Sequence, residues 1–294
     1  SSSHYVASLA FSPDSKYLAA GTEDGAVVVW DLTSRSVSTR IAKPDHWNCG
    51  VRLLAFSPDG QTIAHDGPGL PVQVRQLTDP GTVMALKGHT NAVNTLAFSP
   101  GGRWIASGGF DALRLWDAGS GEELGARNEH FGTNQVAFSP AGKHLATSAD
   151  DGKIRIREVL TGKVVRTIDG PLHSGWSAGV AYSPDGTKIA AARMRGPIGV
   201  WNAATGEEIA TIRTGQDERD MVGSLAFGPR GRVLLWVETG CHANVGGNRW
   251  SIWEDTITEE EAHPARVRFV TLVHGISADE VGVVEQADIR VLAL

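Results

Sequence analysis

The sequence predicts an all-β fold made of a short repeated unit, and three observations support this prediction. A phrase of the pattern Leu/Val-Ala-Phe/Tyr-Ser-Pro, with Gly-Pro in its last copy, occurs six times in the 294 residues. Its prolines, at positions 13, 58, 100, 140, 184 and 229, are 40 to 45 residues apart. Short apolar runs bounded by glycine-containing turns separate the copies. Such a period with short strands is typical of propeller blades, so residues 1–294 are predicted to form one seven-bladed β-propeller.

Each blade is predicted to hold four strands. The first strand ends at the Ser-Pro turn, where proline fixes φ and glycine adopts a positive φ at little cost. Residues 17–20 are typical of the second strand, residues 27–31 of the third, and residues 163–168 of the fourth. Four strands per blade, arranged radially, leave few exposed edges. The blades are expected to start near residues 4, 50, 91, 133, 176, 221 and 267.

The seventh unit departs from the pattern, and the last blade is predicted to be incomplete in this chain. Residues 267–273, 280–285 and 288–294 have the pattern of three strands. No Trp-Asp pair closes the unit, and the sequence stops where a fourth strand would begin.

The repeated unit resembles that of the WD-repeat (WD40) family of β-propellers, over nearly the whole chain. Trp30-Asp31 and Trp116-Asp117 match the closing dipeptide of that family, whereas Arg75 and Arg157 occupy this place in the second and fourth units. In this family the last blade is usually completed by a strand from the N-terminal side, and here the sequence starts directly in the first strand of blade 1. The resemblance therefore implies an upstream segment of the native chain as one partner of the domain.

The resemblance also implies a hydrogen-bond network inside one blade. In the family a histidine, a strand Ser or Thr, a turn aspartate and the tryptophan are linked in this way. His89, Ser107, Asp111 and Trp116 of blade 3 match this set. Blade 1 has Ala20 where the hydroxyl belongs, so we expect its network to be incomplete.

Composition argues against several classes of partner. The net charge of −6 does not favour nucleic acid, because phosphate binding needs an excess of Lys and Arg. No stretch approaches the roughly 18 consecutive apolar residues of a membrane span. Cys49 and Cys241 lack the spacing of a disulfide framework or a zinc site. Because cysteines outside a disulfide framework suit a reducing compartment, we expect a cytoplasmic protein.

No cofactor, metal site or catalytic centre is predicted. Five histidines each precede the first strand of a different unit, so they are not expected to share a metal ion. His65 and His242 are expected to lie in loops, without a third ligand at a recognisable spacing. The sequence has no phosphate-binding loop, nucleophile elbow or His-Glu-x-x-His helix motif. The five histidines are His4, His46, His89, His130 and His173.

Loops on one face of the predicted propeller hold the candidate partner-binding residues. The resemblance places the segment before each first strand and the turn between the second and third strands on one rim, the top face. Aromatic, Met and Arg side chains are enriched at the centres of interfaces. The residues of this kind in the top-face loops are Trp47, Phe110, Phe131, Trp176, Arg193, Met194 and Arg195. In blade 6 the same turn is expanded to residues 238–248, and long loops on a rigid scaffold often serve recognition.

Three functions remain open at this point. The resemblance favours a non-catalytic scaffold that binds other proteins or peptides, as most WD-repeat propellers do. The second is a sensor or autoinhibitory domain of a larger signalling protein, such as a bacterial kinase. The third is an enzyme or small-ligand binder that uses the central channel, which convergent ionisable groups in the channel would favour.

Overall fold

The computed structural model confirms the predicted all-β fold. The residues that it describes contain twenty-three strands and no helix. These are residues 6–41, 50–66, 71–127, 131–170, 177–193, 197–212, 221–228, 233–239 and 248–254.

The strands form six antiparallel sheets, and within each sheet they follow one another in chain order. Blade 1 consists of β1 (Val6–Phe11), β2 (Tyr17–Thr22), β3 (Val27–Asp31) and β4 (Ser36–Ile41). Blade 2 consists of β5 (Leu54–Phe56), β6 (Thr62–His65), β7 (Val72–Gln76) and β8 (Val83–Leu86). Blade 3 consists of β9 (Val93–Phe98), β10 (Trp104–Gly109), β11 (Leu113–Asp117) and β12 (Glu123–Arg127).

The next three sheets continue the pattern. Blade 4 consists of β13 (Gln135–Phe138), β14 (His144–Ser148), β15 (Lys153–Glu158) and β16 (Val164–Asp169). Blade 5 consists of β17 (Ser177–Tyr182), β18 (Lys188–Arg193), β19 (Ile198–Asn202) and β20 (Glu208–Ile212). Blade 6 is described by β21 (Met221–Phe227), β22 (Val233–Thr239) and β23 (Asn248–Glu254). The predicted seventh blade lies outside the described residues and stays a prediction.

The first strands of successive blades lie side by side. β1 neighbours β5, which neighbours β9, and the same relation links β9 to β13, β13 to β17 and β17 to β21. The closest backbone approaches between the described blades are those of first and second strands. The blades therefore converge on their first strands, as in a propeller.

The hydrophobic core is divided into layers, each shared by two neighbouring blades. Between blades 1 and 2, for example, Val27 and Val29 of β3 pack with Phe56 and Ile63 of blade 2. Comparable clusters lie at the next four blade interfaces. Because each layer needs both blades to exclude water, a single blade cannot bury its apolar face alone.

Candidate interaction face

The antiparallel order of the strands gives the propeller two different faces. The turn between the first and second strands and the turn between the third and fourth strands lie at one end of each sheet, the bottom face. The segment before the first strand and the turn between the second and third strands lie at the other end, the top face. The described geometry therefore agrees with the arrangement that the family resemblance implied.

The Ser-Pro turns of the bottom face use their polar groups internally. In five blades the buried serine hydroxyl accepts a hydrogen bond of 2.9 to 3.0 Å from the N–H that opens the second strand. In blades 1, 2 and 5 the hydroxyl also donates to the turn aspartate, namely Asp14, Asp59 and Asp185. This hydrogen bond is the main reason why the pKa of each aspartate is lowered.

The same turns also contact one another from blade to blade. Gly102 has a φ of 71°, and a Cβ atom placed there would lie 3.6 Å from Cδ of Pro58 in the preceding blade. The corresponding glycines of blades 2, 4 and 5 face the preceding proline in the same way. The recurring Ser-Pro turns thus pack against one another along the bottom face.

An aspartate in the second turn of a blade binds the segment that enters the same blade on the top face. In blade 2, Oδ1 of Asp66 accepts hydrogen bonds of 2.9 Å from the backbone N–H groups of Arg52 and Leu53. In blade 4, Oδ1 of Asp150 accepts one of 2.7 Å from Nδ2 of Asn134. Burial raises the pKa of Asp66 to about 6, although the backbone hydrogen bonds oppose that effect.

In blade 3 the turn aspartate is part of the network suggested by the family resemblance. Nδ1 of His89 lies 2.8 Å from Oδ1 of Asp111, and Nε2 of His89 lies 2.7 Å from Oγ of Ser107. The indole N–H of Trp116 donates to the same Oγ over 2.8 Å. Burial lowers the pKa of His89, and this effect outweighs the hydrogen bond that His89 makes to Asp111, which raises the same pKa. Burial opposes ionisation of Asp111, but hydrogen bonds from His89 and from the N–H of Thr90 outweigh it and lower its pKa to about 2.

Two of the predicted partner-binding residues, Phe110 and Phe131, are neighbours on the top face. A Cβ atom on Gly132, next to Phe131 in the chain, would lie 3.4 Å from Cδ1 of Phe110. Phe110 is 41% exposed and Phe131 is 52% exposed. The backbone beneath them is held by hydrogen bonds from Thr133 N to Gly109 O (2.9 Å) and from Asp150 N to Phe131 O (3.2 Å). Two partly exposed phenylalanines from two blades are therefore held on neighbouring, hydrogen-bonded segments of the top face, and we call this pair the phenylalanine patch.

Of the other predicted partner-binding residues, the structure describes only Arg193. Trp47, Trp176, Met194 and Arg195 lie outside the described residues, as does most of the expanded turn of blade 6. Arg193 is the last residue of β18 rather than a loop residue. The phenylalanine patch is therefore the part of the predicted surface that the structure describes.

His65 is a correction to the sequence-based expectation. It ends strand β6 with 2% exposure and is not a loop residue. The pairing of β6 with β7 places it where blade 3 has Ser107, so it fills the interior of blade 2. Burial lowers the pKa of His65 to about 4.

Two arginines occupy the place of the closing tryptophan. Arg75 pairs with Ile63 as Trp116 pairs with Ile105, and Arg157 pairs with Leu145 in the same register. Each guanidinium donates to a carbonyl oxygen in the following bottom turn, that of Pro80 or that of Gly162. A long side chain that reaches a backbone acceptor thus replaces the indole, and its role is structural.

Sequence reasoning missed Asp66 and Asp150 as top-face residues. The signal that could have found them is an aspartate in the turn after the second strand, which recurs in the first four blades. Within the described residues, no group of three His, Cys, Asp or Glu side chains is arranged to hold a metal ion. The same part of the chain has no helix of the length and hydropathy needed to cross a membrane.

Comparison with protein families identifies the repeat itself. The model described as "WD domain, G-beta repeat" matches residues 1–31, 81–117 and 121–157. An uncharacterized WD repeat-containing protein of Synechocystis sp. is 32% identical over 80% of this chain. The alignment spans 65% of the length of that relative.

More distant relatives extend over a larger part of the chain. The guanine nucleotide-binding protein subunit beta of Arabidopsis thaliana is 25% identical over 93% of this chain and 76% of its own length. A chain in the crystal structure of a mitotic checkpoint complex superposes with a TM-score of 0.73, covering 87% of this chain and 76% of that chain. At 22% identity this second likeness concerns the fold alone.

Proposed function

Because the chain is a WD-repeat β-propeller, we propose that it is a non-catalytic scaffold that binds another protein through the top face at blades 3 and 4. The observation that supports this proposal is the adjacency of the exposed Phe110 and Phe131 on two neighbouring top-face loops. Large aromatic side chains supply much of the binding energy at interface centres.

The two faces differ in the groups that they offer to a partner. The Ser-Pro turns of the bottom face repeat from blade to blade and satisfy their own serine and aspartate side chains. The top-face loops vary in sequence and leave the phenylalanine patch exposed. Irregular loops on a rigid scaffold are where specificity is usually built.

The patch is also suited to binding because little ordering is needed. A phenyl side chain has only two rotatable torsions, and the backbone at Phe131 is held by the N–H of Asp150. The conformational entropy lost on binding is correspondingly small. The names of the relatives point the same way, since one is a subunit of a guanine nucleotide-binding protein. We propose the cytoplasm as its compartment.

Alanine substitution of the patch tests the proposal. A partner is identified by affinity purification and its Kd is then measured by calorimetry. We expect Phe131→Ala to weaken binding tenfold or more, about 1.4 kcal/mol, without a change in melting temperature. Trp176→Ala and Arg195→Ala are expected to weaken binding in the same direction.

Leu160→Ala is the matched control, because Leu160 is an apolar residue with 70% exposure in a bottom-face turn of blade 4. It should leave the Kd unchanged. If Leu160→Ala abolishes binding while Phe131→Ala retains full affinity, the partner binds the bottom face and the proposal is wrong.

A further inference from the structure

The carboxylate of Asp150 lies beside the phenylalanine patch. Its backbone N–H donates to the carbonyl oxygen of Phe131, which places the two residues next to each other. Oδ1 accepts a hydrogen bond from Asn134, and Oδ2 has no hydrogen-bond partner within the part of the chain that the structure describes. Among the described residues, the patch is therefore bordered by a carboxylate group with one oxygen outside any hydrogen bond.

The described charged side chains in the two top-face turns beside the patch have partners within those turns or on adjacent strands. Asp111 binds His89 and the N–H of Thr90, and it lies 3.6 Å from a guanidinium nitrogen of Arg114. Arg114 is itself paired with Glu123, and both carboxylate oxygens of Asp151 are bound by Arg155.

Arg114 and Arg155 each have a carboxylate partner of their own. The whole chain has a net charge of −6, so its long-range field also favours a cationic partner. Within the part of the chain that the structure describes, a positive charge brought by a ligand would therefore meet a carboxylate oxygen without a hydrogen-bond partner, on a residue that neighbours Phe131.

We propose that the top face at blades 3 and 4 recognises a basic peptide segment, with a Lys or Arg side chain bound to Asp150 and its aliphatic stem on Phe110 and Phe131. This inference rests on the proposed function and adds the chemistry of the partner. A carboxylate forms strong charge-assisted hydrogen bonds with an ammonium or guanidinium group. The π-faces of aromatic rings attract the same cations, and their surfaces cover the apolar stem.

Selection from a phage-displayed random peptide library on the intact chain provides the probe. We expect the selected peptides to carry Lys or Arg next to apolar residues. One selected peptide and its versions with the basic residue changed to Gln or Glu are then titrated by fluorescence polarisation. Both changes should weaken binding to the unaltered protein about tenfold or more, and added KCl should weaken binding of the basic peptide.

Variants of Asp150 test whether its carboxylate binds the basic residue of the peptide. Asp150→Asn retains an oxygen that accepts from Asn134, so we expect an unchanged melting temperature together with a tenfold or greater loss of affinity. Asp150→Lys should prefer the Glu-containing peptide. Glu122→Gln is the matched control, because it removes an exposed carboxylate from a bottom-face turn of blade 3 and should bind like the unaltered protein.

The possible failures are distinguishable. If Phe131→Ala loses the peptide but Asp150→Asn binds it normally, the charge assignment is wrong and the proposed function stands. Selection of acidic or uncharged peptides, or of none, also overturns the inference. If neither Asp150→Asn nor Phe131→Ala changes the Kd while Leu160→Ala raises it, both the inference and the proposed function fail.

Discussion

When His89 is neutral, one arrangement of protons satisfies every member of the hydrogen-bond network of blade 3. The indole N–H of Trp116 donates to Ser107, whose hydroxyl donates to Nε2 of His89, and the Nδ1–H of His89 donates to Asp111. A neutral imidazole with its proton on Nδ1 satisfies every member, in agreement with the lowered pKa of His89. Removal of one donor therefore leaves a buried acceptor without its partner.

Trp116→Phe is expected to cost about 1–3 kcal/mol of unfolding free energy, because Ser107 Oγ loses its indole donor in a fully buried site. Trp30→Phe in blade 1 should cost less, since Ala20 pairs there at the register position of Ser107. Guanidinium chloride midpoints of the two variants test this difference. Equal shifts would mean that loss of ring packing, not of the hydrogen bond, determines the effect.

Asp66 is expected to make the protein's stability depend on pH. Its pKa is raised from 3.8 to about 6 in the folded state, so the folded protein binds this proton more tightly than the unfolded chain. Protonated Asp66 therefore stabilises the folded state below pH 3.8. This stabilisation, roughly 3 kcal/mol, is lost as the pH rises to about 6.

Asp66→Asn resembles the protonated carboxyl and should stabilise the protein at pH 7 but change its stability little at pH 4. His65, whose pKa is lowered to about 4, titrates over the same range with the opposite sign, so the difference between variant and unaltered protein is the quantity to measure. Denaturant unfolding at several pH values supplies it. As a control, Asp185→Asn should destabilise at pH 7, because hydrogen bonds from Ser183 and Thr187 lower the pKa of Asp185.

At the scale of single elements, the Ser-Pro turn joins the first and second strands in five blades by the same hydrogen bond. The serine hydroxyl binds the N–H of the second strand, and the aspartate, where present, binds both that hydroxyl and a backbone N–H two residues further on. Blades 3 and 4 have Gly101 and Ala141 in place of the aspartate. Their turns keep the same backbone with fewer side-chain hydrogen bonds.

Ala141→Asp should therefore stabilise the protein by about 0.5–1.5 kcal/mol, because the new carboxylate can accept from Ser139 and from the N–H of Lys143. Thermal unfolding measures the gain. In a Ser139→Ala background the same substitution should gain less, and this double-mutant cycle isolates the hydroxyl–carboxylate interaction. An equal gain in both backgrounds would assign the effect to turn propensity alone.

At the scale of the whole molecule, the blades are stable only together. Each core layer is formed by two neighbouring blades, and the first strands lie side by side from blade 1 to blade 6. The apolar face at the end of such a row needs a further sheet to cover it. We therefore predict a seventh blade that closes the ring.

Residues 267–294 are predicted to supply three strands of this seventh blade. A crystal structure of the chain would count the blades directly. A ring of six or of eight blades, or a seventh blade fully closed by residues 1–294, would show that the prediction is wrong.

The sequence by itself determined the all-β class, the repeat and the positions of the strands. These features depend on short-range chemistry, namely alternating apolar residues and the Ser-Pro-x-Gly turn, which act within a few residues along the chain. The family resemblance also identified the four residues of the blade 3 network. Strand bounds such as Val27–Asp31 agree with the pattern that predicted them.

Only the tertiary structure decided which residues meet across blades. Phe110 and Phe131 are 21 residues apart in the sequence, and their adjacency results from the packing of blade 3 against blade 4. Within blade 4, the turn that holds Asp150 meets the entering segment at Phe131 through a backbone hydrogen bond, and His65 was mistaken for a loop residue because its burial depends on strand pairing. Local periodicity specifies where a strand lies, whereas contacts between blades depend on register and on the approach of distant segments, which no short stretch of sequence encodes.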